Sequence, residues 1–260
     1  MNQNHPMLKV WNVIYPLLLY YAVLLIVFSL AGTIFGNDNE HYVLCQLIAT
    51  VWTIPVMWPH YRMDQNLRGI GKRSIDWSAV AVTVLLLACL SISLNNILSM
   101  SPLVEMSAGF KEATEGFYSG PVWLEIVSSA IATPFLEELV FRGIVYGRIR
   151  ASLSAGVSIV LSAVLFGIIH FNVVQFLYAF LLGLILSLLV EVYKEVYVAV
   201  IGHMAANLIA VIRTETGWLS FMVNGDAFAW GSSLVLLVLG MVVLGVWIYR
   251  MKKQKEDASS

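Results

Sequence analysis

Strongly polar side chains occur at three places inside apolar stretches in the second half of the chain. The first place carries two adjacent glutamates and an arginine, the second a histidine, and the third a histidine and an asparagine. A carboxylate can act as a base, imidazoles can position water or bind a metal, and the donors can stabilise an oxyanion, so the set is chemically complete for hydrolysis. The six residues are Glu137, Glu138, Arg142, His170, His203 and Asn207.

The spacing within the first cluster gives its two carboxylates different surroundings. Glu138 and Arg142 are four residues apart and therefore lie on the same helix face. Glu137 points about 100° away from Glu138 on such a helix. One carboxylate can pair with the arginine while the other stays available as a base. The alternative is that the whole cluster is a salt bridge that fixes helix packing.

The second and third clusters repeat the four-residue spacing. Phe166 shares a helix face with His170, and His203 shares one with Asn207. Either histidine alone could be a satisfied hydrogen-bond partner, and the third cluster could be a hydrogen bond between helices. Ionisable side chains are costly inside a bilayer, and these occur in three of four consecutive predicted helices. Such segregation favours one common functional site over unrelated packing contacts.

The elements that must position these residues are membrane-spanning helices. Hydrophobic residues make up 59% of the chain and charged residues only 12%, whereas soluble domains carry about 25% charged residues. A helix needs about 20 apolar residues to cross a bilayer, and the sequence predicts an all-α polytopic membrane protein with about eight spans. The net charge of -1 gives no reason to expect a nucleic-acid partner. The predicted spans are 10–35, 41–60, 78–100, 121–147, 153–171, 173–192, 195–212 and 230–249.

The distribution of basic residues predicts the orientation of these spans. With both termini in the cytoplasm, nearly all basic residues outside the spans fall on the cytoplasmic side, as the positive-inside rule requires. The outer side keeps only Lys111 and Arg213. The segment 101–120 is then an outer loop with a short interfacial helix. The cytoplasmic set is Lys9, Arg62, Arg68, Lys72, Arg73, Arg148, Arg150, Lys194, Arg250, Lys252, Lys253 and Lys255.

Small residues and a proline predict how the polar helices pack. Pro134 lies one turn before the glutamate pair and favours a kink that loosens local packing. Gly143 and Gly147 form a small-xxx-small pair that allows another helix to approach closely. Gly202 and the alanines that follow it have small side chains, so neighbouring helices can also pack closely against the seventh span. Cys45 and Cys89 match no disulfide or metal spacing and are interpreted as packing residues.

The ordered motifs resemble those of the CPBP family, which contains the CAAX proteases and bacteriocin-processing enzymes and is also called Abi. The matching sequences are Glu-Glu-Leu-Val-Phe-Arg, Phe-Gly-Ile-Ile-His and His-Met-Ala-Ala-Asn, in this order on successive predicted spans. The resemblance covers roughly residues 120–215. It implies a three-span N-terminal region over 1–120, a four-helix catalytic core over 121–215, and a final span with a cytoplasmic tail over 216–260.

The resemblance implies an intramembrane endopeptidase that acts on a membrane-associated or lipidated peptide or protein. By analogy with the family, Glu137 and His170 would activate the attacking water, and His203 and Asn207 would stabilise the oxyanion. The remaining motif residues, Glu138 and Arg142, would hold the site in place. Zinc is a possible cofactor, because Glu137, His170 and His203 could complete a three-ligand site, and a metal-free glutamate mechanism is the alternative.

Other functions compete with proteolysis. The chain could be a non-catalytic membrane protein that regulates a sensor kinase or confers bacteriocin immunity. Buried Glu, His and Arg also build proton pathways in transporters, although the sequence shows no internal repeat of the kind that many transporters have. A bacterial plasma membrane, with its lipid as a partner, is the expected location.

One geometric conflict accompanies the predicted topology. His170 falls near the outer end of the fifth span, whereas Glu137 and His203 fall nearer the inner half of their spans. The three side chains can meet if spans five and six form a short hairpin, or if the helices tilt.

Overall fold

The computed structural model describes residues 6–36, 38–68 and 74–257, and these residues form helices and no strands. The prediction of an all-α polytopic protein is therefore confirmed. A single turn of 3₁₀-helix, Ser220–Met222, precedes the last helix. The helices are α1 Pro6–Phe35, α2 Asn39–Leu67, α3 Trp77–Ser99, α4 Pro102–Met106, α5 Ala108–Phe117, α6 122–150, α7 Ala155–Ile168, α8 Val173–Tyr193, α9 Tyr197–Thr216 and α10 Ala227–Asp257.

Polar caps set the ends of several long helices. Asp38 begins α2 by accepting a hydrogen bond from the backbone N–H of His41, and Asp76 caps α3 in the same manner. Asn172 caps α8 by accepting from the backbone N–H of Gln175 at 2.9 Å. Lys194 ends α8 in the left-handed region at φ 61°, and Gly217 ends α9 at φ 67°. These caps satisfy backbone groups that helix ends leave without partners.

Helix α6 combines α-helical and π-helical segments in one continuous helical run. Its π segments are Ile126–Ala132 and Leu139–Tyr146, and the α-helical turn Thr133–Glu138 between them carries the glutamate pair. Single π turns occur frequently at functional sites. The proline predicted to disturb this helix, Pro134, starts the central turn.

Eight helices coincide with the eight predicted spans, and six of them are long and apolar enough to cross a membrane in the described part of the chain. The two others are α6, with its π segments, and α7. Helix α7 has only 14 residues, which gives a length of about 21 Å against a bilayer core of about 30 Å. Of the two helices that were expected to form a short hairpin, only α7 is short, because α8 has 21 residues.

Glycines allow the close helix contacts that the sequence predicted. A Cβ atom on Gly143 would lie 2.6 Å from the Tyr61 ring of α2. On α9, a Cβ atom on Gly202 would lie 2.7 Å from the Thr83 methyl group of α3. These separations are shorter than van der Waals contact, so only glycine fits at either position.

Two apolar clusters join helices from different parts of the chain. One cluster combines α3, α8, α9 and α10 with Tyr146 of α6. The other combines α1 and α2 with α6, α7 and Ala179 of α8. Both clusters cross the boundaries of the predicted three-part division, which stays a prediction. The two cysteines are free, and Cys45 is buried among apolar neighbours, in agreement with a packing role.

Basic residues lie together at one end of the helix bundle. Arg148 at the end of α6 pairs with Asp64 of α2 at 2.7 Å. Arg150 and Lys194 both pair with Glu191 of α8, at 3.2 and 2.9 Å. The predicted cytoplasmic residues Lys72 and Arg73 lie outside the described residues. The opposite end carries α4, α5 and the segment 217–226, so the predicted interfacial helix is two short helices.

Candidate active site

A cavity of about 480 Å³ lies among the central helices. Four of the six predicted site residues line it: Glu137 from α6, His170 from the turn after α7, and His203 and Asn207 from α9. The three sequence clusters therefore meet in one place. The remaining two, Glu138 and Arg142, are completely buried directly behind the cavity.

A buried charge network holds the wall of this cavity. The Arg142 guanidinium donates to Glu138 Oε1 at 2.7 Å, as the four-residue spacing predicted. His203 Nδ1 donates to the same oxygen at 2.8 Å. Since this hydrogen bond occupies Nδ1, the Nε2 atom of His203 is turned towards Glu137, whose Oε2 lies 3.8 Å away.

Glu137 has different surroundings from its neighbour. Its Oε2 lies 3.8 Å from His203 Nε2, which is beyond hydrogen-bond distance. The residue is 8% exposed and lines the cavity. Of the two adjacent carboxylates, one is thus fixed by two donors and the other can contact a molecule in the cavity.

Phe166 connects the parts of the site by aromatic contacts. Its ring meets the His170 ring edge to face at 5.2 Å between centroids, and the His203 ring at 5.7 Å. The Arg142 guanidinium carbon lies 4.4 Å from the centroid of the same ring. Contacts of this kind favour fixed ring orientations. The phenylalanine of the second motif therefore packs both histidines and the buried arginine.

The turn after α7 carries His170 to the cavity. His170 Nδ1 lies 3.0 Å from the backbone oxygen of Phe166, so the ring can donate there and direct Nε2 elsewhere. The hydroxyl of Tyr21 from α1 donates to the backbone oxygen of Ile169 at 2.7 Å. The next residue, Phe171, adopts φ 56°. His170 and Glu137 line the same cavity, so the conflict noted in the sequence does not keep them apart.

The backbone of α6 provides the partner of Asn207. The N–H of Thr133 bonds to the oxygen of Ser128 in the π register. In this register the next N–H would bond to the oxygen of Ser129, but residue 134 is proline and has no N–H. Asn207 Nδ2 donates to this free oxygen at 2.9 Å. Pro134 therefore acts here by leaving an acceptor for the third motif.

The segment that carries these residues is similar to a known protein family. Residues 119–209 match the family model described as Rce1-like, type II CAAX prenyl endopeptidase Rce1-like. These residues form a CAAX protease domain. No curated protein and no solved structure matches the chain. The match coincides with the segment in which the sequence resembled the CPBP family, and that prediction is confirmed.

The CAAX protease domain of residues 119–209 indicates the general class of the protein. At the family level this domain supports a CAAX-type intramembrane protease, a hydrolase that acts on a peptide or a membrane protein. Together with the six apolar helices it identifies an integral membrane protein. The domain comprises α6, α7, α8 and most of α9, and all six predicted site residues lie within it.

Sequence reasoning missed polar residues from helices outside the CAAX protease domain. The sequence analysis considered ionisable side chains in the second half of the chain and did not consider neutral amides in spans two and three. Gln46 of α2 and both Asn95 and Asn96 of α3 line the cavity, as does Arg213 near the end of α9. Amides within otherwise apolar spans were the available signal, since such side chains also need buried partners.

The three candidate zinc ligands do not form a metal site as they are arranged. Among the described parts of the chain, no group of three His, Cys, Asp or Glu side chains has the geometry to hold a metal ion. His203 and His170 each hold Nδ1 in a hydrogen bond and leave Nε2 open, as zinc-binding histidines also do. The side chains of the described residues nevertheless do not converge on one ion, and no step below uses a metal.

Proposed function

We propose that the chain is an intramembrane endopeptidase that hydrolyses a peptide bond in a membrane-associated or lipidated peptide or protein, with Glu137 and His170 activating the attacking water. The observation that carries this proposal is the convergence of Glu137, His170, His203 and Asn207 on one cavity from three separate elements. The volume of about 480 Å³ is within the range of small-ligand sites.

Glu137 is the general base in this proposal. Its carboxylate lines the cavity and accepts no hydrogen bond from the described residues, whereas Glu138 accepts from two donors. A general base must be free to accept a proton from water within hydrogen-bond distance. The neighbouring ion pair keeps the backbone of this turn in place.

His170 assists the same water. With Nδ1 donating to the Phe166 oxygen, Nε2 carries the lone pair and can accept a hydrogen bond from water. The ring contact with Phe166 and the Tyr21 hydrogen bond to the turn fix the orientation of the imidazole. With its two O–H groups donated to Glu137 and His170, the water keeps its lone pairs for attack on the scissile carbonyl, and Glu137 takes the proton that the water loses.

His203 and Asn207 supply the donors for the oxyanion. His203 turns Nε2 towards Glu137 at the cavity, and in this scheme an N–H on that atom would donate to the oxyanion. Asn207 retains a second N–H beside the one that it donates to Ser129.

Glu138 and Arg142 position the catalytic residues without contacting substrate in this scheme. Arg142 is completely buried, donates to Glu138, and reaches the backbone oxygen of Gly183 on α8 at 3.3 Å. Through Glu138 this arrangement orients His203. It therefore links α6, α8 and α9 around the cavity.

The proposal includes an orientation in the membrane. The bundle end that carries Arg148, Arg150 and Lys194 would face the cytoplasm, with both termini on this side, in a bacterial plasma membrane. Single cysteines introduced at Arg62 and at Lys111 would report this orientation. An impermeant thiol reagent applied outside intact cells is expected to label position 111 only.

The decisive experiment compares the purified wild type with Glu137→Gln in cleavage of quenched, membrane-tethered peptides that carry a lipidated or an unmodified cysteine. The matched control is Glu40→Gln, because Glu40 is exposed at the start of α2. We expect the control to retain full activity and Glu137→Gln to lose at least about 10³-fold, as befits a general base in a water-excluding site.

A chelator experiment and two further outcomes test the metal-free scheme and the catalytic role. A zinc chelator is expected to leave wild-type cleavage unchanged, and chelator-sensitive activity restored by zinc would contradict the metal-free scheme. Equal cleavage by wild type and a folded Glu137→Gln variant would refute the assignment of the base. Cleavage of no peptide by the folded wild type would instead favour the non-catalytic alternative.

A further inference from the structure

Two side chains at the end of α2 reach the backbone of α6. The guanidinium of Arg68, the residue that follows α2, donates through Nη2 to the backbone oxygen of Gly143, and Gln65 Nε2 lies 3.4 Å from the same oxygen. This oxygen belongs to the π segment Leu139–Tyr146, which directly follows the turn that carries the glutamate pair. Arg68 and Gln65 therefore bind the helix of the proposed base from outside the CAAX protease domain.

The register of α6 leaves the Gly143 oxygen open to side chains. In a regular α-helix the N–H of Gly147 would bond to the oxygen of Gly143. Here this N–H bonds to the Ile144 oxygen instead. Where a helix changes from π to α register, the regular bonding pattern is interrupted, and buried carbonyl groups there need other donors. Arg68 and Gln65 supply such donors.

The glycine at position 147 makes room for the guanidinium. A Cβ atom on Gly147 would lie 2.2 Å from Arg68 Nη1 and 2.4 Å from its Cζ. One turn earlier, Gly143 makes room for the Tyr61 ring in the same way. Arg68 Nε also donates to the backbone oxygen of Asp64 at 3.2 Å, which fixes the side chain against its own helix. The small-residue pair of α6 thus receives two side chains from the end of α2.

The first π segment of α6 is held by a comparable contact. Asn207 of α9 donates to the backbone oxygen of Ser129, which lies in the π segment Ile126–Ala132. The α-helical turn Thr133–Glu138 therefore lies between two π segments, each with a backbone oxygen bound by a side chain from another helix. Contacts on both sides of this turn restrict its rotation about the helix axis.

We infer that Arg68 is a positioning residue that, together with Gln65, fixes the register of α6 and thereby the direction of the Glu137 side chain. The inference rests on the proposed function. Successive residues of an α-helix point about 100° apart, so a register change of one residue in the second π segment would rotate the glutamate turn by about this angle. Such a rotation would turn Glu137 away from the cavity. Arg68 does not itself line the cavity, so it acts on catalysis rather than on substrate binding.

The first test measures the register directly and does not depend on turnover. A single cysteine is introduced as Thr133→Cys, because Thr133 belongs to the glutamate turn and lines the cavity. The two free cysteines of the chain are removed as Cys45→Ala and Cys89→Ala. The rate at which a small thiol reagent labels the detergent-solubilised protein then reports whether this face of the turn is open to the cavity.

Two variants should slow this labelling. Arg68→Gln removes the charged donor, and Gly147→Ala displaces the guanidinium without removing it. We expect both to slow labelling at least about three-fold, because a charge-assisted hydrogen bond changes an equilibrium by about ten-fold or more. The matched controls are Arg62→Gln, exposed on the same helix, and Gly156→Ala, where nothing lies within 4 Å of the new Cβ. Both controls should label at the wild-type rate.

The second test measures kcat and KM for peptide cleavage in the same variants without the added cysteine. Arg68→Gln is expected to lower kcat about 10²-fold and to leave KM nearly unchanged, because a displacement of about 1 Å at a catalytic group has an effect of this size. Gly147→Ala should give the same pattern. Arg68→Lys keeps a charged donor and should recover much of kcat, which a loss of packing alone does not predict.

The outcomes separate this inference from the proposed function. Slower labelling in Arg68→Gln, without cleavage of any peptide by the wild type, upholds the register role and contradicts the protease. In an active protein, unchanged labelling or unchanged kcat in folded Arg68→Gln overturns the inference, and Gly147→Ala decides in the same way where Arg68→Gln does not fold. An equal loss of kcat in Arg68→Lys or in the control Arg62→Gln also overturns it, because the loss would then not depend on the bond to Gly143.

Discussion

Replacing Arg142 with methionine tests the buried charge network. Arg142 is the largest completely buried side chain in the described part of the protein. Its contacts are the ion pair with Glu138 at 2.7 Å, the hydrogen bond to the Gly183 oxygen at 3.3 Å, and the Phe166 ring at 4.4 Å. Methionine preserves much of the apolar volume but removes the positive charge.

The expected loss of stability in Arg142→Met follows from the buried Glu138 carboxylate that the variant retains. Without Arg142, the fully buried Glu138 keeps only His203 as a donor. Removing one partner of a buried ion pair costs about 3–5 kcal/mol, because the other charge stays buried without compensation. The double variant Arg142→Met with Glu138→Gln removes both charges, and it should recover most of this loss, since neutral replacements of buried pairs are often tolerated.

The assay is reversible unfolding of the purified protein in mixed detergent micelles, followed by circular dichroism, for the wild type, both single variants and the double variant. The matched control is Arg150→Met at the exposed basic end, where the ion pair with Glu191 is solvated and should contribute little to stability. A loss below about 1 kcal/mol in Arg142→Met, or a double variant less stable than either single one, would refute the reasoning.

Two further perturbations test the helix contacts around the site. Pro134→Ala restores a backbone N–H that competes with Asn207 for the Ser129 oxygen, so we expect unchanged or higher thermal stability with peptidase kcat lowered up to about ten-fold; full activity in this variant would contradict the role given to the proline. Gly202→Leu places atoms where Thr83 lies 2.7 Å from the new Cβ, and overpacking should cost about 1–3 kcal/mol or more in unfolding measurements. The control Gly231→Leu, where nothing lies within 4 Å, should be nearly neutral, and equal losses in both variants would show that packing against α3 is not the cause.

Hydrophobicity and spacing were sufficient to predict the membrane helices and the main polar contacts. An apolar run must be helical in lipid, because every backbone polar group needs an internal partner there. The eight helices therefore follow directly from the sequence. The Glu138 and Arg142 pair follows from helical periodicity. The close contacts at Gly143 and Gly202 follow from the small size of these residues.

The tertiary structure decided the features that depend on contacts between distant segments. The sequence could not predict that α7 has only 14 residues or that His170 and Glu137 line one cavity, because apolar length does not specify where a helix stops. The sequence also could not predict which of the two adjacent glutamates accepts a hydrogen bond from His203. The structure shows that it is Glu138, while Glu137 lies 3.8 Å from the other ring nitrogen.

Asn96 and Arg213 show the same division. Asn96 and Arg213 are each unremarkable in the sequence, an amide in one span and a basic residue near the end of another. Only the packing of α3 against α9 joins them at 2.6 Å beside the catalytic cavity. The sequence by itself determined the helices and the residue types available for chemistry. Their convergence on one cavity was decided by packing between helices, because hydrogen bonds and side-chain fit between distant segments have no local signature.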